Sequence, residues 1–328
     1  MWLTSSFGGH IVAHLAIGHS MWGGYFLLPL FVLLVLELDG GARGRWSIAM
    51  GATLAAMLLQ GSFHAFVWCV LFLLVRLCSG PGRGALAAAL GWAALLGLAR
   101  LAPAAAILQA RREAEFQTGF PGLVALVQGL AFVRDASVPR AGHGSMGGLQ
   151  WWEFDMYVGP AALLWLLVFG ARGLVRDDRG RRLAAPVAVV TLLSFGRLYA
   201  PVTALGVPLL SSQRVTSRFL ILPLLALAVM AALESSRWAA AGDRRRRVAL
   251  WCAAAATAVS LGVHTHAWRM SRVEMILPAP PHAREADIEI APMETDGPKD
   301  GLYVATVRTS AALSAAALGV ALWRWRRR

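Results

Sequence analysis

The sequence predicts an all-α polytopic transmembrane helix bundle of about eight to nine membrane helices. Three observations predict it. Of 328 residues, 57% are hydrophobic and only 15% charged, whereas soluble domains carry about a quarter charged residues. The apolar residues gather in blocks close to the roughly 20 residues needed to cross a hydrocarbon layer. The arginines fall between those blocks, dense in every second gap and sparse in the others.

Residues 7–19 read as a weak helix carrying His10, His14 and His19, and 22–38 as the first clear span. Spans at 46–59 and 63–77 follow, joined by Gln60-Gly61-Ser62 and short enough to form a hairpin that only partly crosses. The next span is 85–102. A long non-spanning stretch, 103–156, then holds a short surface helix over 121–133, opened by Pro121, because proline suits a first helical turn. The Gly-, Ser- and Pro-rich residues 134–150 read as loop.

Four more spans are expected at 157–171, 183–199, 219–233 and 248–263. A second polar stretch runs from 264 to about 302. There Asp287-Ile288-Glu289-Ile290 alternates polar and apolar, and 302–307 is strand-like. A short β-hairpin near 287–307, turning at Asp296-Gly297, is therefore expected. The last span would start nearer Ser310 and end at Trp323. The organisation is then a bundle over 1–263 including the loop 103–156, a polar loop over 264–302, and a final span with a basic tail over 303–328.

Orientation follows from counting basic residues in alternate gaps. Segments 39–45, 76–84, 172–182, 237–247 and 324–328 hold 18 arginines in 43 positions; 60–64, 100–156, 197–218 and 266–301 hold 12 basic residues in 120. The first set is expected in the cytoplasm and the second outside. The net charge of +13 belongs to this punctuation. It forms no basic face interleaved with aromatics, which argues against a nucleic-acid partner and leaves membrane lipids as the expected one. Cys69, Cys78 and Cys252 show neither CxxC spacing nor a ligand cluster, so they read as small apolar residues.

Ionisable residues beside membrane segments are costly and mark candidate sites. His10 and His14 are four apart on one helix face and would ligate a metal if a carboxylate joined them; interfacial hydrogen bonding is the plainer reading. Glu153 and Asp155, within Trp151-Trp152-Glu153-Phe154-Asp155-Met156-Tyr157, lie at the mouth of a span among aromatics. They are candidate catalytic carboxylates, against a plain anchoring role for the segment. Arg214 and Arg218, four apart at the start of a helix, suit a phosphate, because guanidinium forks and helix amides both bind anions. An ion pair with Glu153 or Asp155 is the alternative. Arg100 and Tyr157 complete the candidate substrate-binding set. Arg111 and Arg112 with Glu113 and Glu115 read as a solvated helix face, and His64 as an outer-surface residue.

Several short motifs are similar to those of bacterial multispan proteins of the GT-C glycosyltransferase type and their uncharacterised relatives. They are Gly18-His19 with Trp22 and Pro29, Leu101-Ala102-Pro103, Gly119-Phe120-Pro121-Gly122, Trp152-Glu153 with Tyr157-Val158-Gly159, and Arg214-Val215-Thr216-Ser217-Arg218-Phe219. The resemblance covers most of 8–233. It implies a bacterial inner-membrane enzyme that takes a sugar from a polyprenyl-phosphate carrier on the periplasmic face, often with a divalent metal. In such enzymes the usual base is an acidic residue in the first outer loop. Here no Asp or Glu precedes Glu37, so the expectation is a chain that starts late or a degenerate relative. The alternative is a non-catalytic multispan protein, a scaffold or a lipid-glycan handling partner. A transporter is less favoured, because no ionisable residue sits securely in mid-span and no repeated halves are seen.

Overall fold

The computed structural model describes residues 8–16, 20–38, 43–110, 118–134, 151–205, 210, 213–242, 244–270 and 301–326. The described residues form helices and no named strand. They are α1 (Gly9–Ala16), a 3₁₀ segment (Ser20–Leu27) running into α2 (Leu28–Glu37), α3 (Arg43–Leu59), α4 (Phe63–Ser79), α5 (Arg83–Leu96) and α6 (Leu98–Ala110). Then come α7 (Leu123–Ala131), a 3₁₀ turn (Trp151–Glu153), and α8 (Pro160–Trp165) joined by a π turn (Leu166–Gly170) to α9 (Ala171–Arg176). Next are α10 (Asp178–Leu193), α11 (Gly196–Thr203), a 3₁₀ turn (Ser217–Leu220) leading into α12 (Ile221–Ala240), α13 (Arg244–Met270) and α14 (Gly301–Arg326).

Among the described residues three helices are long and apolar enough to cross a membrane: Ser217–Ala240, Arg244–Arg269 and Gly301–Arg326. The bent pair Arg83–Leu96 and Leu98–Ala105 makes a fourth if it is one span. Gly24–Glu37, Gly44–Leu59 and Phe63–Ser79 are shorter apolar helices. Helix is the reason such segments tolerate lipid, since every backbone polar group is satisfied within the segment.

α12 is the central element. Of its spanning window 56% is buried, against 17% for α13 and for α14. One apolar core joins α12 to α2, α3, α4, α5 and α10 around Phe31, Trp68, Phe72 and Tyr199. A second joins it to α1, α7, α8 and residues 151–158 around Phe120, Phe154 and Trp268. Helices α13 and α14 turn apolar faces outward, including Trp251, Val259, Leu313 and Leu318. Apolar surface that extensive suits lipid rather than water.

Three expectations need correction. The continuous span 85–102 is broken at Gly97 by a bend of 73°. The continuous span 183–199 stops at Leu193, because Ser194 and Phe195 leave the helix to bond another segment. The strand-like 302–307 is the beginning of a helix that runs unbroken from Gly301 to Arg326, so the last helix starts before Ser310. The Tyr, Val and Thr residues there carry weak strand propensity, and the longer apolar helix that follows overrides it. The remainder of the expected hairpin, through residue 300, lies outside the described residues, as do the loop 135–150, His19 and the residues 111–117. The surface helix expected over 121–133 is α7, and the described part of the helix expected over 7–19 contains α1.

Candidate functional site

Two ends of α12 are chemically distinct. At its Arg237 end, Arg237 pairs with Asp177 at 2.7 Å and Arg172 with Glu234 at 2.9 Å. This gathers the arginine-rich turns 172–182 and 234–247. At the other end sit Ser217 and Arg218. The 19 residue steps from Arg218 to Arg237 set the two ends roughly 28 Å apart at the helical rise of about 1.5 Å.

The Ser217 end is built from segments far apart in sequence. Thr118 and Phe120 thread between two others: the Thr118 amide donates to the Arg214 carbonyl (3.2 Å) and the Phe120 amide to the Ser194 carbonyl (2.9 Å). The Thr216 amide returns a bond to Thr118 (3.0 Å) and the Gly196 amide one to Phe120 (3.3 Å). Residues 154–159 lie along the end of α7, where Met156 and Val158 amides donate to the carbonyls of Gly129 and Leu130. Gly159 then turns the chain with φ +84 and Pro160 opens α8. Only glycine takes that φ cheaply, and proline fits the first helical turn.

Glu153 and Arg218 form a bidentate pair. Arg218 Nε donates to Oε2 at 2.6 Å and Nη2 to Oε1 at 2.5 Å, with both side chains largely buried. Ser217 Oγ donates to the Glu153 carbonyl at 2.5 Å. Of the two readings open for Arg218, the ion pair is therefore realised. Arg214 is exposed and makes no ion pair among the described residues.

Asp155 lies apart from that pair, in a network of its own. It is 1% exposed. Oδ2 accepts from His264 Nε2 (2.9 Å) and Trp268 Nε1 (2.8 Å), and Oδ1 from the Tyr157 amide (3.1 Å). Tyr157 stacks on His264 with centroids 4.4 Å apart, and its hydroxyl bonds Ser260 Oγ at 2.5 Å. Gly9 packs so closely on Asp155 that a Cβ there would overlap the carboxylate, and its amide donates to the Tyr157 carbonyl at 2.7 Å. His264 and Trp268 were missed in sequence as site residues. They stand four apart near the end of a helix, one face presenting two ring N–H donors, and that was the available signal.

A third group extends inward. His10 Nε2 bonds Tyr25 Oη at 2.9 Å, and His14 meets His10 edge-on at 4.3 Å. Tyr25 packs on Trp68, whose Nε1 donates to Gln213 Oε1 at 3.0 Å. His64 Nδ1 donates to the same oxygen at 3.2 Å, so His64 is half-buried rather than a surface residue. Among the described residues no group of three His, Cys, Asp or Glu residues comes together around the histidine pair, and two imidazoles by themselves fall short of a stable coordination set. Beside His10 and Tyr25 lies a cavity of about 60 Å³, otherwise lined mainly by apolar residues of α2, α12 and the π turn. Arg100 is exposed, its Nη1 3.4 Å from the Leu59 carbonyl, and does not join these groups.

The structure thus brings together Glu153 with Arg218, Asp155 with Tyr157, and His10 with His14, and leaves Arg100 apart. The chain matches no family model, no curated protein and no solved structure among those compared with it.

Proposed function

We propose that the chain is a multi-pass inner-membrane protein of about eight to nine membrane helices, with its arginine-rich turns in the cytoplasm. Its activity is that of a GT-C-like glycosyltransferase using a polyprenyl-phosphate-linked sugar on the periplasmic face. One observation carries the reading. The segments 118–122, 151–159 and 213–219, which bear the resemblance, meet at one end of α12, about 28 Å from the arginine-rich end. That separation is close to the thickness of a bilayer core, about 30 Å.

The roles divide by charge. Arg218 holds Glu153 in place and neutralises it. Arg214, exposed and outside any ion pair among the described residues, meets the carrier phosphate. As the anomeric C–O bond to the phosphate breaks and the acceptor oxygen attacks, the acceptor proton passes to Asp155, with His264 as its hydrogen-bonded neighbour. Arg214 offsets the charge left on the departing phosphate.

The test is a lipid-linked-sugar transfer assay on the purified full chain. Arg214→Ala should weaken donor use by about tenfold or more, the worth of a charge-assisted hydrogen bond. Arg218→Ala should act through loss of folded protein. Unchanged transfer in both variants removes the assignment.

A non-catalytic lipid-glycan handling protein is the second reading, favoured by one specific observation. Every carboxylate oxygen of Glu153 and Asp155 already accepts a hydrogen bond from within the chain. It predicts retention of the carrier lipid by wild type without any transfer.

A further inference from the structure

Arg76 is a buried charge that the proposed function leaves unused. It lies in the last turn of α4 and is 1% exposed. Its Nη1 has no hydrogen-bond partner, and no carboxylate pairs with it among the described residues. A guanidinium held out of water without a counter-charge is unfavourable, so a fold that keeps one has a use for it.

The side chain is aimed at the turn between α4 and α5. The guanidinium lies against Gly80, where an added Cβ would come within 2.9 Å of Arg76 Cζ and still closer to Nη1. Two residues on, Gly82 takes φ +83 and stands at the N-cap of α5. As a glycine it offers no side chain to cap that helix, and no acidic residue occupies the first turn. α5 has 14 residues, so it presents a full set of orphan amides and the positive end of a dipole. Exposed Arg83 adds a further positive charge. A buried arginine fork beside an uncapped helix start is the pairing by which proteins hold phosphate oxygens.

We propose that the α4–α5 turn binds a phosphate-bearing anion, with Arg76 as the buried ligand and the first-turn amides of α5 as further donors. The anion is the headgroup of an acidic phospholipid or a free phosphate. The site is independent of any sugar transfer.

The full chain purified in detergent supplies the test. Native mass spectrometry counts phosphatidylglycerol against phosphatidylcholine retained by each variant. In a second arm, thermal unfolding is followed with and without inorganic phosphate. Wild type should retain phosphatidylglycerol in preference or be stabilised by phosphate. Arg76→Gln should reduce that preference about tenfold, while Arg244→Gln, an exposed arginine elsewhere, should leave it unchanged. Gly80→Ala keeps every charge and displaces the guanidinium, so it should lose the preference too, and it decides the matter if Arg76→Gln does not fold. A response to phosphatidylglycerol alone identifies the lipid headgroup, and a response to phosphate identifies the soluble ion. Equal behaviour of wild type, Arg76→Gln and Gly80→Ala in both arms overturns the proposal.

Discussion

Glu153 and Arg218 are two charges taken out of water together, and that fixes what happens when either is removed. Coulomb attraction inside the bundle offsets desolvation only while both are present. Glu153→Gln alone, or Arg218→Gln alone, should cost about 3–5 kcal/mol of stability. The double variant Glu153→Gln/Arg218→Gln should cost clearly less than the two singles added, because no lone charge stays buried. Thermal unfolding of the four proteins in one detergent reads the cycle. Strict additivity would mean that the pair does not act as a unit. The partnership was half legible in the sequence: an arginine four residues from another at a helix start, with acids available in an aromatic segment, left two readings open. Only the fold chooses, because 65 residues separate Glu153 from Arg218. Asp155 was harder. Its donors His264 and Trp268 lie 109 and 113 residues away, in a stretch whose polarity read as the start of a loop.

The helices themselves were well marked by hydropathy, and their interruptions were not. An apolar window averages over a single glycine, so the bend at Gly97 leaves no trace in it. The break at Ser194 is imposed from outside, by backbone bonds to Phe120 that satisfy the groups the helix gives up. The start of α10 is different, because its signal is local. Asp177 is the N-cap, accepting from the amides of Arg179 (2.9 Å) and Gly180 (3.4 Å), while Arg237 donates to its other oxygen at 2.7 Å. Burial pushes the Asp177 carboxyl up, but the hydrogen bonds from Arg237, Arg179 and Gly180 and the Arg237 charge outweigh it and hold the carboxyl below its ordinary value. A depressed folded value means the stabilisation is complete above the ordinary aspartate range. It is lost as pH falls through the folded value, below about pH 4. Asp177→Ala should cost about 1 kcal/mol at neutral pH, the worth of an N-cap. The pair with Arg237 adds little, since that arginine is mostly exposed. Asp177→Asn keeps a capping oxygen and should flatten the acid limb of the unfolding curve. An acid limb unchanged in Asp177→Asn would show that other groups produce it.

At the scale of the molecule, the alternation of arginine-rich and arginine-poor gaps and the geometry of α12 are independent observations with one consequence. The gaps divide the chain into two sets by composition alone. The fold then places Asp177, Arg172, Glu234 and Arg237 together at one end of α12 and Glu153, Arg218 and Ser217 at the other. The arginine-rich gaps 172–182 and 237–247 are thereby held together, one helix length from the Glu153–Arg218 end. If a bilayer occupies that interval, positions 179 and 245 share a side and position 214 faces the opposite one. Single cysteines at 179, 214 and 245, in a chain whose Cys69, Cys78 and Cys252 are replaced, should show it in intact cells. A membrane-impermeant maleimide should label 214 and should reach 179 and 245 only after the membrane is opened. Labelling of 179 and 245 from outside with 214 protected would invert the orientation and move the Glu153–Arg218 end to the cytoplasm. Labelling of 179 and 245 from different sides would be more damaging. It would separate turns that the Asp177–Arg237 and Arg172–Glu234 pairs hold together, and no placement of this bundle in a membrane would survive it.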